Sequence, residues 1–147
     1  MKEAMNERRK EIKEFLNTIF SIETDKIELY NEALTHSGSG SPDNQRLALL
    51  GDSVLLLIMR EHCFREHPDW NTERITTECQ KIEKDEIFAK TAIKLKIVDR
   101  MNIKNPPPNL KTNIAINENV FEALFGAIYL DKGLDKAQEI AKKLKIF

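Results

Sequence analysis

Apolar residues recur at helical spacing almost from end to end of this chain, and nowhere do β-branched residues alternate long enough to make a strand. A period near 3.6 places residues i, i+3, i+4 and i+7 on one stripe, and each such stripe has to be buried against another helix. The pattern confines the chain to an all-α fold. Helices are expected over about 6–19, with Ile12, Phe15, Leu16 and Ile19 inward, and over about 26–33, with Ile27 and Tyr30 inward. The run Thr35-His36-Ser37-Gly38-Ser39-Gly40-Ser41-Pro42 then interrupts the pattern, because glycine and proline disfavour helix and serine competes for backbone hydrogen bonds. A third helix is expected from a cap at Asp43 or Asn44 to about residue 66, where His67-Pro68 ends it next to Trp70. Asn71-Thr72-Glu73 opens a helix over about 72–82, and another from about residue 85 carries Ile87, Phe88, Ala92 and Leu95. Pro106-Pro107-Pro108 predicts a stiff, exposed connection of polyproline type. A long apolar helix over about 114–130 follows, and Gly133 separates it from a last amphipathic helix over about 134–144, with Ala137, Ile140 and Leu144 inward.

A chain of 147 residues reads as one domain, 1–147. At this size roughly 68–70% of the unfolded surface is buried, so a core needs neither disulfide nor structural zinc. Cys63 and Cys79 form no Cys-x-x-Cys pair and fall in helical stretches, which reads as reduced structural thiols and a reducing, cytoplasmic setting. The charged start from Met1 to Lys13 lacks the apolar stretch of a secretory signal, and the longest apolar run, Val54 to Met59, is too short to span a bilayer. No membrane insertion is expected. With a formal net charge of −1, strong autonomous binding to nucleic acid is disfavoured. Lys81, Lys84, Lys90, Lys94, Lys96, Arg100, Lys104 and Lys111 are scattered among acids, which suits a solvated face, although they could also track phosphate.

Two places carry chemistry. In Asn44-Gln45-Arg46-Leu47-Ala48-Leu49-Leu50-Gly51-Asp52-Ser53-Val54-Leu55 a single acid, Asp52, stands in an apolar helical run. Burying it would cost several kcal/mol unless a cation or hydrogen bonds compensate. In the later apolar helix Asn119 and Glu122 are three apart and share a face, as Ala48 and Asp52 do in the earlier one. Two such helices facing one another could hold a hard divalent cation, which prefers oxygen ligands and keeps several waters. A structural role for both acids is the alternative. His36 is read as packing or hydrogen-bonding near the Thr35-Ser37 turn.

The three stretches Ala33-Leu34-Thr35-His36-Ser37, Asn44 to Leu55, and Val120-Phe121-Glu122-Ala123-Leu124-Phe125-Gly126-Ala127-Ile128-Tyr129-Leu130-Asp131 resemble, in order and spacing, the catalytic domain of the ribonuclease III family, most strongly over 27–136. The resemblance implies a helical, homodimeric fold that lays double-stranded RNA across a valley at the two-fold interface. It also implies hydrolysis of one strand per protomer with Mg²⁺, or Mn²⁺, held by carboxylates.

Of the four positions that usually bind metal in the family, two match: Asp52 and Glu122, the residues expected to be catalytic and to hold the ion. The others depart from the pattern. Ala48 stands where the family has Glu, and Asn119, which could assist through its amide oxygen, stands where it has Asp; Gln45 also replaces a Glu. Two negative charges in place of about four should weaken metal binding by several kcal/mol. Glu118 or Glu78 could substitute from a neighbouring position. Three functions follow: a weakened metal-dependent endonuclease for double-stranded RNA, an inactive relative that binds or scaffolds structured RNA, or a dimeric module without RNA. The separate C-terminal double-stranded-RNA-binding domain that the usual bacterial enzyme carries is not expected within residues 1–147, which leaves either a piece of a longer protein or a minimal one that relies on its dimer valley or a partner. Leu47, Leu50, Val54, Phe121, Leu124, Phe125 and Ile128 are expected to give part of their apolar surface to the partner protomer.

Overall fold

In the computed structural model, which describes residues 2–147, the helical stripes become seven α-helices: α1 (Lys2–Phe20), α2 (Ile27–Ala33), α3 (Gln45–Glu66), α4 (Thr72–Lys84), α5 (Ile87–Leu95), α6 (Ile114–Lys132) and α7 (Leu134–Lys143). Short 3₁₀ turns follow at Ile97–Arg100 and Leu110–Thr112. Among the described residues, β pairing is limited to one bridge between Thr35 and Asn102, and no helix is long and apolar enough to cross a membrane.

The most apolar segment becomes the axis. Val120, Phe121 and every residue from Ala123 to Ile128 are buried, and a helix that is apolar all round is stable only inside a shell of other elements. Helices α2, α3, α5 and α7 supply that shell. Phe88 of α5 stacks on Phe121 with ring centroids 5.5 Å apart, and Phe121 meets Phe125 at 5.0 Å. Tyr30 of α2 donates its hydroxyl to Asp131 at 2.7 Å, and burial, then the Asp131 carboxylate, raises the phenol above its ordinary range.

The contact that matters most for the site is between α3 and α6. A Cβ on Gly51 would lie 1.6 Å from the carbonyl oxygen of Glu122, and one on Gly126 would lie 2.4 Å from that of Leu47. Backbone therefore touches backbone at two points, and only residues without a side chain permit so close an approach. The start of α3 is pinned as well. Asp43 accepts from the backbone N–H of Gln45 at 3.1 Å, Asn44 donates its backbone N–H to Thr35 at 2.9 Å, and Ser39 accepts from the backbone of Lys104 at 2.9 Å.

Several expectations are corrected. α1 begins at Lys2 rather than near residue 6, because nothing between Lys2 and Met5 breaks a helix. α4 runs on to Lys84, and α5 starts at Ile87 after Glu86 takes a left-handed conformation. Asp52 is not buried: α3 lies at the surface, where Val54 and Leu55 point into the core while Asp52 and Leu49 face solvent. Of the apolar residues assigned to a partner, Leu47, Val54, Phe121, Leu124, Phe125 and Ile128 are buried inside one protomer, and only Leu50 is partly open. They are consumed in sheathing α6. The three prolines lie outside any helix, as expected, with Pro106 and Pro108 exposed.

Candidate functional site

The glycine crossing decides where the acids stand. Gly51 rests on the carbonyl of Glu122, so the next residue of α3, Asp52, is delivered beside the Glu122 side chain. Glu122 is half-buried, with Asp52 and Glu118 close enough for their charges to act on it. Burial first, then the negative charges of Asp52 and Glu118, push the Glu122 carboxyl up to about 8. Glu118 is raised too, by burial and then by Asp52, with Glu83 and Glu86 adding negative charge from the end of α4 and beyond.

Asn119 is drawn elsewhere. Its amide N–H donates to the side-chain oxygen of Asn44 at 3.0 Å, leaving only its carbonyl oxygen to offer. Asn44 is fully buried, and its own amide nitrogen has no partner among the described residues. Ala48 is a buried methyl in the core and adds no donor. Gln45 turns back to the preceding loop, donating to Ser37 at 2.6 Å. Glu78 is engaged on α4 by Arg74 at 3.2 Å and Lys81 at 3.1 Å, so the expectation that it could replace a lost carboxylate is corrected. Lys81, one of the scattered basic residues, is used in that pair, while Lys90, Lys94, Lys96, Lys104 and Lys111 are exposed. His36 lies in the pinned loop, its backbone N–H donating to Asn102 at 3.0 Å and its carbonyl accepting from Ser39 at 2.9 Å.

Among the described residues no three His, Cys, Asp or Glu side chains already form a metal-holding group. The donors nevertheless fit a hard divalent cation in kind. They are all carboxylate oxygens, brought close enough for their charges to act on one another and without a basic partner among the described ion pairs. Glu83 was not foreseen, because it stands on a separate helix and spacing along the chain carried no signal for it; Asn44 was read only as a possible cap, although it stands eight residues before Asp52 on the same periodic face.

The sequence matches the Ribonuclease-III-like family over residues 26–146. The chain belongs to the ribonuclease III family. Ribonuclease 3 of a Nitratiruptor species is 39% identical over 139 residues, covering 92% of this chain and 61% of that protein. Ribonuclease 3 of Campylobacter curvus is 33% identical over 134 residues, covering 89% of this chain and 60% of its own length. The chain thus spans about 60% of the length of these ribonuclease III relatives. Among solved structures, the nuclease domain of ribonuclease III from Campylobacter jejuni superposes with a TM-score of 0.82 at 29% identity, covering 89% of this chain and 94% of that one. That structure was described for flexibility in a region involved in dimer formation. The ribonuclease III fold expected from the sequence is the fold observed.

Proposed function

We propose that this chain is a metal-dependent endoribonuclease domain that hydrolyses phosphodiester bonds in double-stranded RNA as a homodimer, with Asp52 and Glu122 as its catalytic, metal-holding pair. The observation that supports it best is the juxtaposition of these two acids at the Gly51 and Gly126 crossing, in a chain of a family that is generally divalent-metal dependent. When bound, Mg²⁺ or Mn²⁺ would supply a water of lowered pKa and neutralise charge on the phosphoryl oxygens. The protein's part is to hold the ion. Asp52 would offer its carboxylate from the solvent side of α3, and Glu122 its own from α6. Asn119 contributes at most its amide oxygen. With Ala48 silent, affinity should be low and activity should call for elevated metal.

For the dimer, the support is a stripe on the outer face of α3. Leu49 is 75% exposed, Leu57 49% and Phe64 72%, and the same helix carries Asp52. An isologous contact along α3 would set two acidic pairs on one surface, one for each strand of a duplex. A duplex is read mainly through its shape, phosphates and 2′-hydroxyls, so it needs no strongly basic protein. The second reading, an inactive domain that binds or scaffolds structured RNA in the cytoplasm, is favoured by the buried methyl at Ala48 and by the commitment of Asn119 to Asn44.

Incubation of the purified protein with a long perfect RNA duplex in Mg²⁺ and in Mn²⁺, beside Asp52→Asn and Glu122→Gln, separates the two. Cutting by the wild type alone supports the nuclease. Retention of duplex without cutting supports the scaffold.

A further inference from the structure

We infer that Asn44 is a positioning residue that holds the amide of Asn119 so that its oxygen is the end offered to the ion; the inference rests on the metal-dependent reading above. Asparagine is among the residues that best cap a helix, and Asn44 stands at the N-cap of α3, yet its side chain makes no capping hydrogen bond. It accepts instead from the side-chain amide of Asn119, on α6, at 3.0 Å. Asn44 is fully buried, and its own amide nitrogen has no partner among the described residues. Leaving a donor unpaired in the interior is costly, and an apolar side chain at this place would avoid that cost. What the polar side chain does in return is restrain Asn119.

The backbone of Asn44 is held on both sides. Its N–H donates to the carbonyl of Thr35 at 2.9 Å, and its carbonyl accepts from the N–H of Ala48 at 2.9 Å. Thr35 is buried too, with its hydroxyl donating to the carbonyl of Asn31 at 2.7 Å. The acceptor that meets α6 therefore comes from the pinned start of α3. Asn119 lies three residues before Glu122 on α6, a spacing that puts the two side chains on one face. A carboxamide takes a hard cation through its oxygen, whereas its nitrogen only donates. Engaging the nitrogen with Asn44 leaves the useful end of Asn119 free, beside a methyl at Ala48 that offers nothing.

Titration of Mn²⁺ into metal-free protein, with the unbound ion read by electron paramagnetic resonance, tests this apart from catalysis. The proteins compared are the wild type, Asn44→Leu, Asn119→Ala and the double variant. The wild type should bind saturably, and each single substitution should weaken binding roughly tenfold, as loss of a group that orients a metal ligand does. The double variant should bind no more weakly than Asn119→Ala, because Asn44 acts through Asn119. Equal weakening by Asn44→Leu with and without Asn119 would show a role in the fold alone and overturn the inference. Binding at wild-type strength by Asn44→Leu, with Asp52→Asn and Glu122→Gln impaired, would also overturn it and leave the metal-dependent reading standing. No saturable binding by the wild type would overturn both. Thermal unfolding without metal checks that each variant is folded, and Asn44→Ala takes the place of Asn44→Leu in the same comparison if the leucine does not fit.

Discussion

Glu122 is asked to do two things that conflict, to sit half-buried beside other acids and to be an anion when a metal arrives. Without metal, the folded protein keeps a proton on Glu122 up to about pH 8, whereas the unfolded chain releases it near the ordinary value of 4.5. The folded pKa is the higher one, so the stability that protonation contributes is fully present below 4.5 and is lost as pH rises through about 8. Glu122→Gln cannot ionise and should escape that loss. Thermal unfolding of wild type and variant across this range, without metal, should show Glu122→Gln gaining on the wild type as pH rises and exceeding it above about 8. A constant difference between the two would contradict the shift. Tyr30 makes a simpler case. Tyr30→Phe removes the hydroxyl that α2 donates to Asp131 and should cost about 1 kcal/mol in urea denaturation, with the acidic site untouched.

Between elements, the closeness of α3 and α6 sets the distance between the carboxylates. Gly51→Ala would place a methyl 1.6 Å from a carbonyl oxygen of α6, and Gly126→Ala would place one 2.4 Å from a carbonyl oxygen of α3. Neither obstacle is a movable side chain, so the helices must part. Both substitutions should cost at least the ~1–3 kcal/mol typical of overpacking, Gly51→Ala the more, as read from denaturant midpoints. Gly51→Ala should also weaken Mn²⁺ binding, since separating the backbones draws Asp52 away from Glu122. Binding at wild-type strength in a folded Gly51→Ala variant would mean that the crossing does not set the site. The same two helices explain why so much of their apolar surface is internal. α6 needs a complete sheath, and Leu47, Val54 and Leu55 of α3 are part of it.

At the scale of the whole molecule, what remains on the outside of α3 is Leu49, Leu57 and Phe64, and a dimer that uses this stripe is sensitive to charge. Leu49→Lys is expected to give a folded monomer by sedimentation velocity and to lose duplex cleavage while keeping Mn²⁺ binding. A variant dimer as stable as the wild type would move the interface elsewhere. The helices themselves were readable one after another, because Asn71 at a cap, Gly133 at a break and the apolar stripes act within a few residues of the chain. The family, too, was legible from three short stretches that local chemistry keeps together. Which apolar residues would be inside was not, since Leu47 and Leu49 are equally apolar and only the docking of α3 on α6 sends one to the core and the other to solvent. The fate of each polar group was decided in the same way. Asp52 reads as buried in its own helix and is exposed in the fold, Asn119 reads as a ligand and is drawn to Asn44, and Glu118 joins Glu122 while Glu78 is taken by Arg74 and Lys81. Helix identity comes from periodicity within a segment and so belongs to the sequence alone. The making of a site from acids 70 residues apart depends on a backbone contact between segments, and that contact exists only once α3 and α6 have closed on their two glycines.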